Sequence, residues 1–449
     1  MLRERYANPR FNLVRLGSLT KAIQYGTSKR STSQPDGVPV LRIPNLQAHG
    51  WDLSDLKYLP LSASEISRYK LEKGDILFNR TNGSRELVGK CEVFDFEGDW
   101  VFASYLIRLR IDTAQAAPEF ISAFLNTHWG RRQVEHVSRQ ILMSNINAEE
   151  IKGLQIPLPR LTEQRRTLAK LEVARSARWE KLAQADELLS GLDDLILEVI
   201  GLQETKVQPQ MAGAIKIGDL DGPLNVERYL ENSPARRLDR DTSLPLDVAF
   251  SVTEEKITPA EAAPEKEWCC IRIDDVGNEP LDPPEPRRVN GADLIGAFFP
   301  IQNSDLLIAR LGPPLLNGKI IVAQQCEIRT VSSPEFLVLR PNGLYDPNVA
   351  MWILRSSAFR RVLYSKCRGS TPSRYRLIRE DLSSVRLPLL NDAQKARLAS
   401  EVSRRRDEAR RLRDEANTTW ENAKRRFEED LLGPESNRQT QERAKRSER

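Results

Sequence analysis

The stretch LEKGDILFNRTNGSRELVGKCEV (71–93) has a counterpart about 230 residues later, FPIQNSDLLIARLGPPLLNGKIIV (299–322). Three charged positions align between the copies: Asp75 with Asp305, Arg80 with Arg310, and Lys90 with Lys319. The likeness continues downstream, where ASYLIRLR (103–110) matches SPEFLVLR (333–340). The chain therefore contains a duplicated globular unit, which suits a ligand with two sites at a set distance better than a single enzyme pocket.

Each copy has the pattern of a domain that mixes sheet and helix. In the first copy, VPVLRI (38–43), GDILF (74–78), GKCEVF (89–94) and ASYLIRLR are apolar or β-branched runs bounded by Gly, Pro and Asn-Gly, which predicts strands. Between Ala117 and Val137 the apolar residues change to helical spacing. The predicted fold class is α+β, with two tandem mixed domains.

A long helix is predicted after each domain. The first begins at Thr162, a candidate N-cap, and ends near Gly201, which gives a length of roughly 55 Å. The second runs from Asp392 to Leu432. In the first helix the positions on alternating three- and four-residue steps are apolar except at Arg175 and Arg178; the apolar ones are Leu168, Leu171, Leu182, Ala185, Leu189, Leu192, Ile196 and Val199. This spacing favours packing along a partner helix, so the two helices are predicted to form an antiparallel coiled coil with pseudo-twofold symmetry.

These boundaries divide the chain into five segments. The predicted segments are a first domain (1–160), a central helical spacer (161–207), a second domain (208–390), a C-terminal helical spacer (391–433) and a disordered tail (434–449). Within the second domain, Ser251–Glu267 and Pro280–Pro286 are predicted to be loops because of their Pro and Glu content.

Composition describes a soluble globular protein. Among 449 residues, 40% are hydrophobic and 29% charged, and the net charge is only +5, a mild excess that is compatible with a polyanion partner. No apolar run approaches the ~20 residues of a membrane span. The five cysteines have neither disulfide nor metal-ligand spacing, and the N-terminus lacks a secretory signal, so a cytoplasmic location is expected.

Basic and amide side chains cluster on the loop that follows the GDILF strand. The donors there are Arg80, Asn82, Ser84, Arg85 and Lys90, and the second copy has Arg310, Asn317 and Lys319. Arginine pairs with guanine and asparagine with adenine, while lysine and serine suit phosphate oxygens, so the loop is a candidate DNA reader. The alternative is a solvated hairpin whose Asn-Gly only makes the turn.

Two further groups are candidates for DNA contact. One is the basic loop residues Lys29 and Arg30, and the other follows each domain's helix, at Arg139, Asn145, Arg368, Arg374, Tyr375 and Arg376. These residues could contact phosphates or stack on a base. A turn leading into the last strand explains the second group equally well.

Residues for catalysis are sparse. The three histidines have no ligand spacing, and Gly83 to Lys90 has one residue too many for a phosphate loop. Asp36, Asp55 and Lys57 imitate a nuclease pattern, so a nuclease or fused restriction enzyme acting alone is one alternative function. A coiled-coil scaffold without sequence-specific binding is another.

The chain resembles the specificity subunit of Type I restriction–modification systems. The resemblance rests on LRIPNL, YKLEKGDILFNRTNGSRELVGK, FASYLIRLR and NINAEEIKGLQIPLPRLTEQRR, and it extends weakly through the second half. It implies a non-catalytic subunit that reads an asymmetric bipartite site in double-stranded DNA, with half-sites about one turn (~34 Å) apart. It also implies two methyltransferase subunits and a restriction/translocase subunit as partners, and no membrane. S-adenosylmethionine, ATP and magnesium would belong to those partners, and this chain would bind no cofactor.

Overall fold

The computed structural model describes residues 10–47, 50–82, 88–137, 144–202, 238–277, 284–327, 329–369, 371 and 374–433. Contacts divide the chain into two compact units. Unit 1 is residues 1–182 with 414–449, and unit 2 is residues 183–413. Each unit therefore contains one globular domain and one part of each long helix. The predicted start of the second domain at residue 208 and the predicted disordered tail (434–449) lie outside the described residues.

Unit 1 is built on a four-stranded antiparallel sheet in the order β2-β11-β7-β9. A second sheet, β10-β3-β6, contains the parallel pair β10 and β3, and β1 pairs with β13. The elements are β1 Leu13–Arg15, β2 Thr20–Tyr25, β3 Val38–Leu41, β4 Leu46–Gln47, β5 Gly50–Trp51, β6 Lys57–Leu59, α1 Ala63–Tyr69, β7 Ile76–Asn79, β8 Thr81–Asn82, β9 Cys91–Val93, β10 Val101–Phe102, β11 Leu106–Ile111, α2 Pro118–Leu125, α3 His128–Val137, β12 Ser144–Asn145, α4 Ala148–Lys152, β13 Gln155–Pro157 and α5 Leu161–Val199.

Unit 2 repeats this topology. Its four-stranded sheet has the order β15-β22-β19-β20, its second sheet is β17-β16-β21-β18, and β14 pairs with β23. The elements are β14 Ser243–Pro245, α6 Leu246–Ala249, β15 Phe250–Val252, α7 Pro259–Ala262, β16 Glu267–Ile271, β17 Arg287–Asn290, β18 Phe299–Pro300, β19 Leu306–Ala309, α8 Gly312–Leu316, β20 Ile320–Val322, β21 Thr330–Ser332, β22 Phe336–Pro341, α9 Pro347–Arg355, α10 Ser357–Lys366, β23 Arg386–Pro388 and α11 Asp392–Leu432.

The duplication predicted from sequence is confirmed by strand order and by a buried ion pair in each unit. Asp75 is 1% exposed and accepts two hydrogen bonds from Arg110, at 2.8 and 2.9 Å. Asp305 is fully buried and accepts two from Arg340, at 3.1 and 2.9 Å. Each aspartate starts the buried central strand of its sheet, so the pair fixes that strand to the neighbouring one.

In each unit the main sheet packs against the domain helices, α2 and α3 in unit 1 and α9 and α10 in unit 2, to form the hydrophobic core. In unit 1, Phe78 and Ile107 on the sheet pack with Phe120 and Phe124 of α2. In unit 2 the corresponding core includes Phe359 of α10 and Ile353 of α9. Burial of such apolar side chains contributes about 1.5–3 kcal/mol each.

Three local predictions were wrong. The single helix expected over Ala117–Val137 is two helices, because the Asn126 side-chain amide donates to Cys91 O at 2.7 Å and the Thr127 hydroxyl to Phe124 O at 2.6 Å, which ends α2. The predicted N-cap, Thr162, lies inside the first turn of α5. The predicted loop Ser251–Glu267 contains part of β15, the short helix α7 and the first residue of β16.

The two long helices run antiparallel within each unit. In unit 1, Lys170 pairs with Asp430 at 2.9 Å and Lys181 with Glu415 at 2.6 Å. In unit 2, Arg413 of α11 pairs with Asp186 of α5 at 2.7 Å, and Arg397 with Glu198 at 2.7 Å. Of the apolar seam predicted in α5, the fully or nearly fully buried members are Leu171, Ala185, Leu192, Ile196 and Val199. None of the described helices combines the length and apolar character needed to cross a membrane.

A carboxylate near the C-terminal end of one long helix accepts a backbone hydrogen bond at the N-terminus of a domain helix in each unit. In unit 1, Glu428 of α11 accepts from the Trp129 N–H of α3 at 2.6 Å. In unit 2, Asp193 of α5 accepts from the Ser357 N–H of α10 at 3.1 Å. Such carboxylates satisfy backbone donors that a helix leaves free at its start.

Glu428→Gln should change how stability depends on pH. Burial raises the pKa of the Glu428 carboxyl above its ordinary 4.5, although bonds to Thr127 and Trp129 lower it in part. The folded state therefore binds this proton more tightly than the unfolded state, so ionising the group above pH 4.5 destabilises the wild type. Glutamine keeps the acceptor and does not titrate. Urea unfolding from pH 4.5 to 8 should show the variant gaining stability relative to wild type as pH rises, whereas parallel pH curves would contradict this account.

Candidate nucleic-acid interface

An arginine directly follows β7 in unit 1 and β19 in unit 2, and its backbone forms hydrogen bonds with a strand or segment on each side. In unit 1, the Arg80 N–H donates to Tyr105 O at 3.1 Å and the Arg80 carbonyl accepts from Ile146 N–H at 2.9 Å. In unit 2, the Arg310 N–H donates to Glu335 O at 2.8 Å and its carbonyl accepts from Leu377 N–H at 2.8 Å. Each arginine therefore lies in the middle of a three-stranded extension of the sheet, which fixes where its side chain begins.

This extension joins two segments that the sequence indicated separately. In unit 1, β8 pairs with β12, so Thr81 lies opposite Asn145. In unit 2, an isolated bridge places Leu311 opposite Arg376. The loop after the central strand and the segment after the domain's helices therefore form one surface in each unit. We call the surface with Arg80 and Asn145 site 1, and the surface with Arg310 and Arg376 site 2.

Aromatic residues surround the arginine of site 1. The Arg80 guanidinium lies over the Tyr25 ring, 4.9 Å from its centroid, and the Tyr25 hydroxyl accepts from Ala148 N–H at 3.1 Å. Tyr105 is 58% exposed beside it. Among the described residues the buried Nε of Arg80 has no hydrogen-bond partner. The ring holds the guanidinium by a cation–π contact and leaves its outer nitrogens for a ligand.

In unit 2, carboxylates pair with several arginines in and near site 2. Glu335 accepts a hydrogen bond from Arg376 at 3.1 Å, and Glu254 pairs with Arg379. Arg368 pairs with the buried carboxylate of Asp381. Arg374 and Arg376 are exposed, and the Tyr375 ring lies 5.9 Å from that of Tyr364. Carboxylates therefore orient Arg376 and Arg368, whereas Arg374 is an exposed arginine of the same surface.

Lys90 and Lys319 lie away from the two arginines that the sequence grouped with them. Lys90 lines a cavity of about 1000 Å³ in unit 1 together with Arg131 and Trp179. Burial and the charge of Arg131 lower the pKa of Lys90. Lys319 donates to Ile273 O at 2.9 Å. Gly89 and Gly318, which precede them, have φ of +83° and +73°, a conformation that suits glycine.

The remaining candidates divide by exposure. Lys29 pairs with Glu65 at 2.6 Å, and this ion pair with the bonds from Ser62 lowers the pKa of Glu65 to about 2. Arg30, Asn145 and Asn317 are exposed. Ser84, Arg85 and Arg139 lie outside the described residues, and so does the side chain of Asn82.

Of the two aspartates in the nuclease hypothesis, Asp55 forms ion pairs with neighbouring cations. Asp55 lies between Arg42 at 2.9 Å and Lys57 at 2.5 Å, and these cations, Lys57 first, lower the pKa of Asp55. Within the part of the chain that the structure describes, no three His, Cys, Asp or Glu residues are grouped to hold a metal ion. Asp55 therefore links Arg42, which follows β3, to Lys57 of β6 in the second sheet.

Four residues near these sites were not predicted from the sequence: Tyr25, Tyr105, Glu254 and Glu335. The alignment of ASYLIRLR with SPEFLVLR already pairs Tyr105 with Glu335, which was the available signal. Tyr25 becomes a neighbour of Arg80, and Glu254 a neighbour of Arg379, only in the folded chain, and the sequence does not specify these contacts.

Comparison with known proteins gives a family and several relatives. Residues 10–178 match the model of the Type I restriction modification DNA specificity domain. The chain is 27% identical over 208 residues to the EcoKI specificity subunit of Escherichia coli K12, covering 46% of this chain and 43% of that protein. It is 28% identical over 154 residues to the putative MjaX specificity subunit of Methanocaldococcus jannaschii, covering 33% and 36%. The matches thus span less than half the length of these relatives.

Solved structures of similar chains are also found. The HsdS subunit from Thermoanaerobacter tengcongensis aligns over 96% of this chain and 99% of its own, at 14% identity and a TM-score of 0.35. The S subunit of a Type I restriction–modification system from M. genitalium aligns over 96% and 98%, at 12% identity and a TM-score of 0.41.

Proposed function

We propose that the chain is a Type I restriction–modification specificity subunit and recognises DNA by sequence, because residues 10–178 match the model of the DNA specificity domain of that family. In this proposal unit 1 reads one half-site through site 1 and unit 2 reads the other through site 2. The bipartite target is asymmetric, because the two surfaces share an arginine and differ around it. The chain is a recognition subunit and carries out no reaction itself.

The observation that carries the proposal is the equivalent placement of Arg80 and Arg310. Backbone bonds fix the main chain of each residue just after a buried strand, and an arginine guanidinium at such a position can pair with the O6 and N7 atoms of guanine. A well-formed pair of this kind discriminates by about 1–3 kcal/mol. Exposed Arg30 and Arg374 would add phosphate contacts, which increase affinity without reading sequence and weaken with salt.

The partners in this proposal are two methyltransferase subunits and a restriction/translocase subunit, in the cytoplasm. The long helices offer the docking surface and set the distance between half-sites. S-adenosylmethionine, ATP and magnesium would act on the partner subunits. Co-expression with the modification partner should produce methylation at one bipartite motif, and mapping the methylated bases would test this directly.

The experiment on the chain itself is selection of bound duplexes from randomised DNA at 50 and 200 mM salt. We expect the full chain to select one bipartite motif. Arg80→Ala should weaken binding to that motif by tenfold or more and relax one half, and Arg310→Ala should relax the other half. Arg165→Ala is the matched control, since it removes an exposed arginine of α5 outside both sites and should leave the motif unchanged.

Two outcomes would overturn the proposal in different directions. If no sequence is enriched, the chain is a scaffold rather than a reader. If the purified chain with magnesium cuts plasmid DNA without partners, the nuclease hypothesis is favoured, and Asp55→Asn should then abolish the cutting.

A further inference from the structure

One pair of equivalent backbone positions carries different polar side chains in the two sites. Ile146 lies next to Arg80, and Leu377 holds the same place next to Arg310. The residue just before each of them is Asn145 in site 1 and Arg376 in site 2, facing Thr81 and Leu311 respectively. Both are exposed. The same backbone position thus presents an amide in one unit and a guanidinium in the other.

Two backbone hydrogen bonds to Arg368 fix the main chain of Arg376. The Arg376 N–H donates to Arg368 O at 2.8 Å, and the Arg368 N–H donates back to Arg376 O at 2.9 Å. A reciprocal pair of this kind fixes the backbone at Arg376. The side chain therefore loses less freedom on binding than a mobile arginine would.

The guanidinium of Arg376 is also oriented, by Glu335. One nitrogen donates to Glu335 Oε1 at 3.1 Å, and the Arg376 side chain stays 50% exposed, so its other donors remain accessible. At the equivalent position site 1 has Tyr105, which carries no charge. A carboxylate close to DNA is repelled by phosphates, so its presence is best explained by its effect on the arginine that it holds.

From these placements we propose that Asn145 reads adenine in the half-site of unit 1, and that Arg376, positioned by Glu335, reads guanine in the half-site of unit 2. Asparagine pairs with N6 and N7 of adenine, and arginine with O6 and N7 of guanine, so each side chain matches one purine in the major groove. Glu335 is a positioning residue in this scheme. The inference rests on the proposed function and specifies bases within it.

The test begins with the motif selected by the full chain and assigns its halves by the Arg80→Ala and Arg310→Ala variants. Duplexes then carry 7-deazaguanine in place of each guanine of the unit 2 half-site, which removes the N7 acceptor. At one guanine the wild type should lose about tenfold in affinity, and Arg376→Ala should lose nothing further there. Duplexes with 7-deazaadenine in the unit 1 half-site test Asn145→Ala in the same way.

The role of Glu335 is tested by measuring the preference for guanine at the Arg376 position as well as the overall affinity for DNA. Glu335→Gln should reduce the preference for guanine at the Arg376 position several-fold, and Glu335→Asp should restore part of it. The matched control is Glu327→Gln, because Glu327 also pairs with an exposed arginine, Arg288 at 2.9 Å, but lies outside site 2. It should leave every position of the motif unchanged.

The outcomes separate this inference from the proposed function. A wild-type chain that selects no motif would sink the proposed function itself. A clear bipartite motif would sink the inference alone if its unit 2 half lacks guanine, if no guanine is coupled to Arg376, or if Glu335→Gln leaves all preferences intact.

Discussion

Asp75→Asn should destabilise unit 1 by about 3–5 kcal/mol, the range measured when one partner of a buried ion pair is removed. The Asp75 carboxylate is 1% exposed and accepts two bonds from Arg110 and one from the Glu72 N–H at 2.9 Å. Arg108, only 9% exposed, lies 3.8 Å away and would lose its nearest negative charge. Burial already lowers the pKa of Arg108, which reflects the cost of that buried cation.

Asp305→Asn should cost less, about 2–3 kcal/mol, as expected for hydrogen bonds to a charged group. The partners Arg110 and Arg340 are both about one-third exposed, at 31% and 33%, so the difference comes from the position of Arg108, where unit 2 has the apolar Val338. Amide hydrogen exchange resolved by peptide would report the loss for each unit separately. Asp95→Asn is the control, since Asp95 is 79% exposed and pairs weakly with Lys73 at 3.5 Å. A larger loss for Asp305→Asn than for Asp75→Asn would show that Arg108 does not depend on the carboxylate.

The duplicated fold was predictable because the features that repeat are those that build a core. Buried strands such as GDILF and SDLLI keep apolar residues and the paired aspartate, and these survive when surface loops diverge. Long helices were predictable because their seam residues recur over many turns. The break between α2 and α3 was not predictable from the sequence, because it depends on a hydrogen bond from the Asn126 side chain to Cys91 of β9.

The candidate sites were predictable only in part. Arg80, Arg310, Asn145 and Arg376 were found from residue type, yet nothing in their spacing showed that β8 meets β12 or that Leu311 meets Arg376. Strand pairings of one or two residues are too short to produce an alternating apolar pattern in the sequence. Lys90 follows Arg80 closely in sequence but lines a different surface, because the turn at Gly89 starts β9 along the opposite edge of β7.

The residues around Arg80 differ from those around Arg310, and the backbone bonds explain why this is possible. Main-chain bonds fix Arg80 and Arg310 whatever the neighbouring side chains are, so the residues at 105 and 335 can change without moving the arginine. A scaffold held by its backbone therefore lets one fold carry two different surfaces, with a tyrosine at position 105 in unit 1 and a glutamate at position 335 in unit 2.

Phe427→Ala should release the end of α11 from the unit 1 core. Phe427 is 3% exposed, its ring centroid lies 5.8 Å from that of Phe120, and Leu431 and Leu432 beside it are also buried. Truncating a buried phenylalanine to alanine costs about 3–5 kcal/mol, because contacts are lost and a cavity is left. The variant should also weaken the bond from Trp129 N–H to Glu428, since Glu428 follows Phe427 directly.

Hydrogen exchange should therefore accelerate in residues 414–432 and in α2 and α3, while amides of the unit 2 core, such as those of β19 and β22, keep their protection. Val173→Ala is the matched control, because Val173 is 72% exposed on α5 and its truncation leaves no cavity. Equal acceleration in both units would mean that the end of α11 stabilises the whole chain rather than the core it packs against. Unchanged exchange in α2 would mean that the Phe120 contact contributes little, and that the helix is held mainly by its ion pairs with α5.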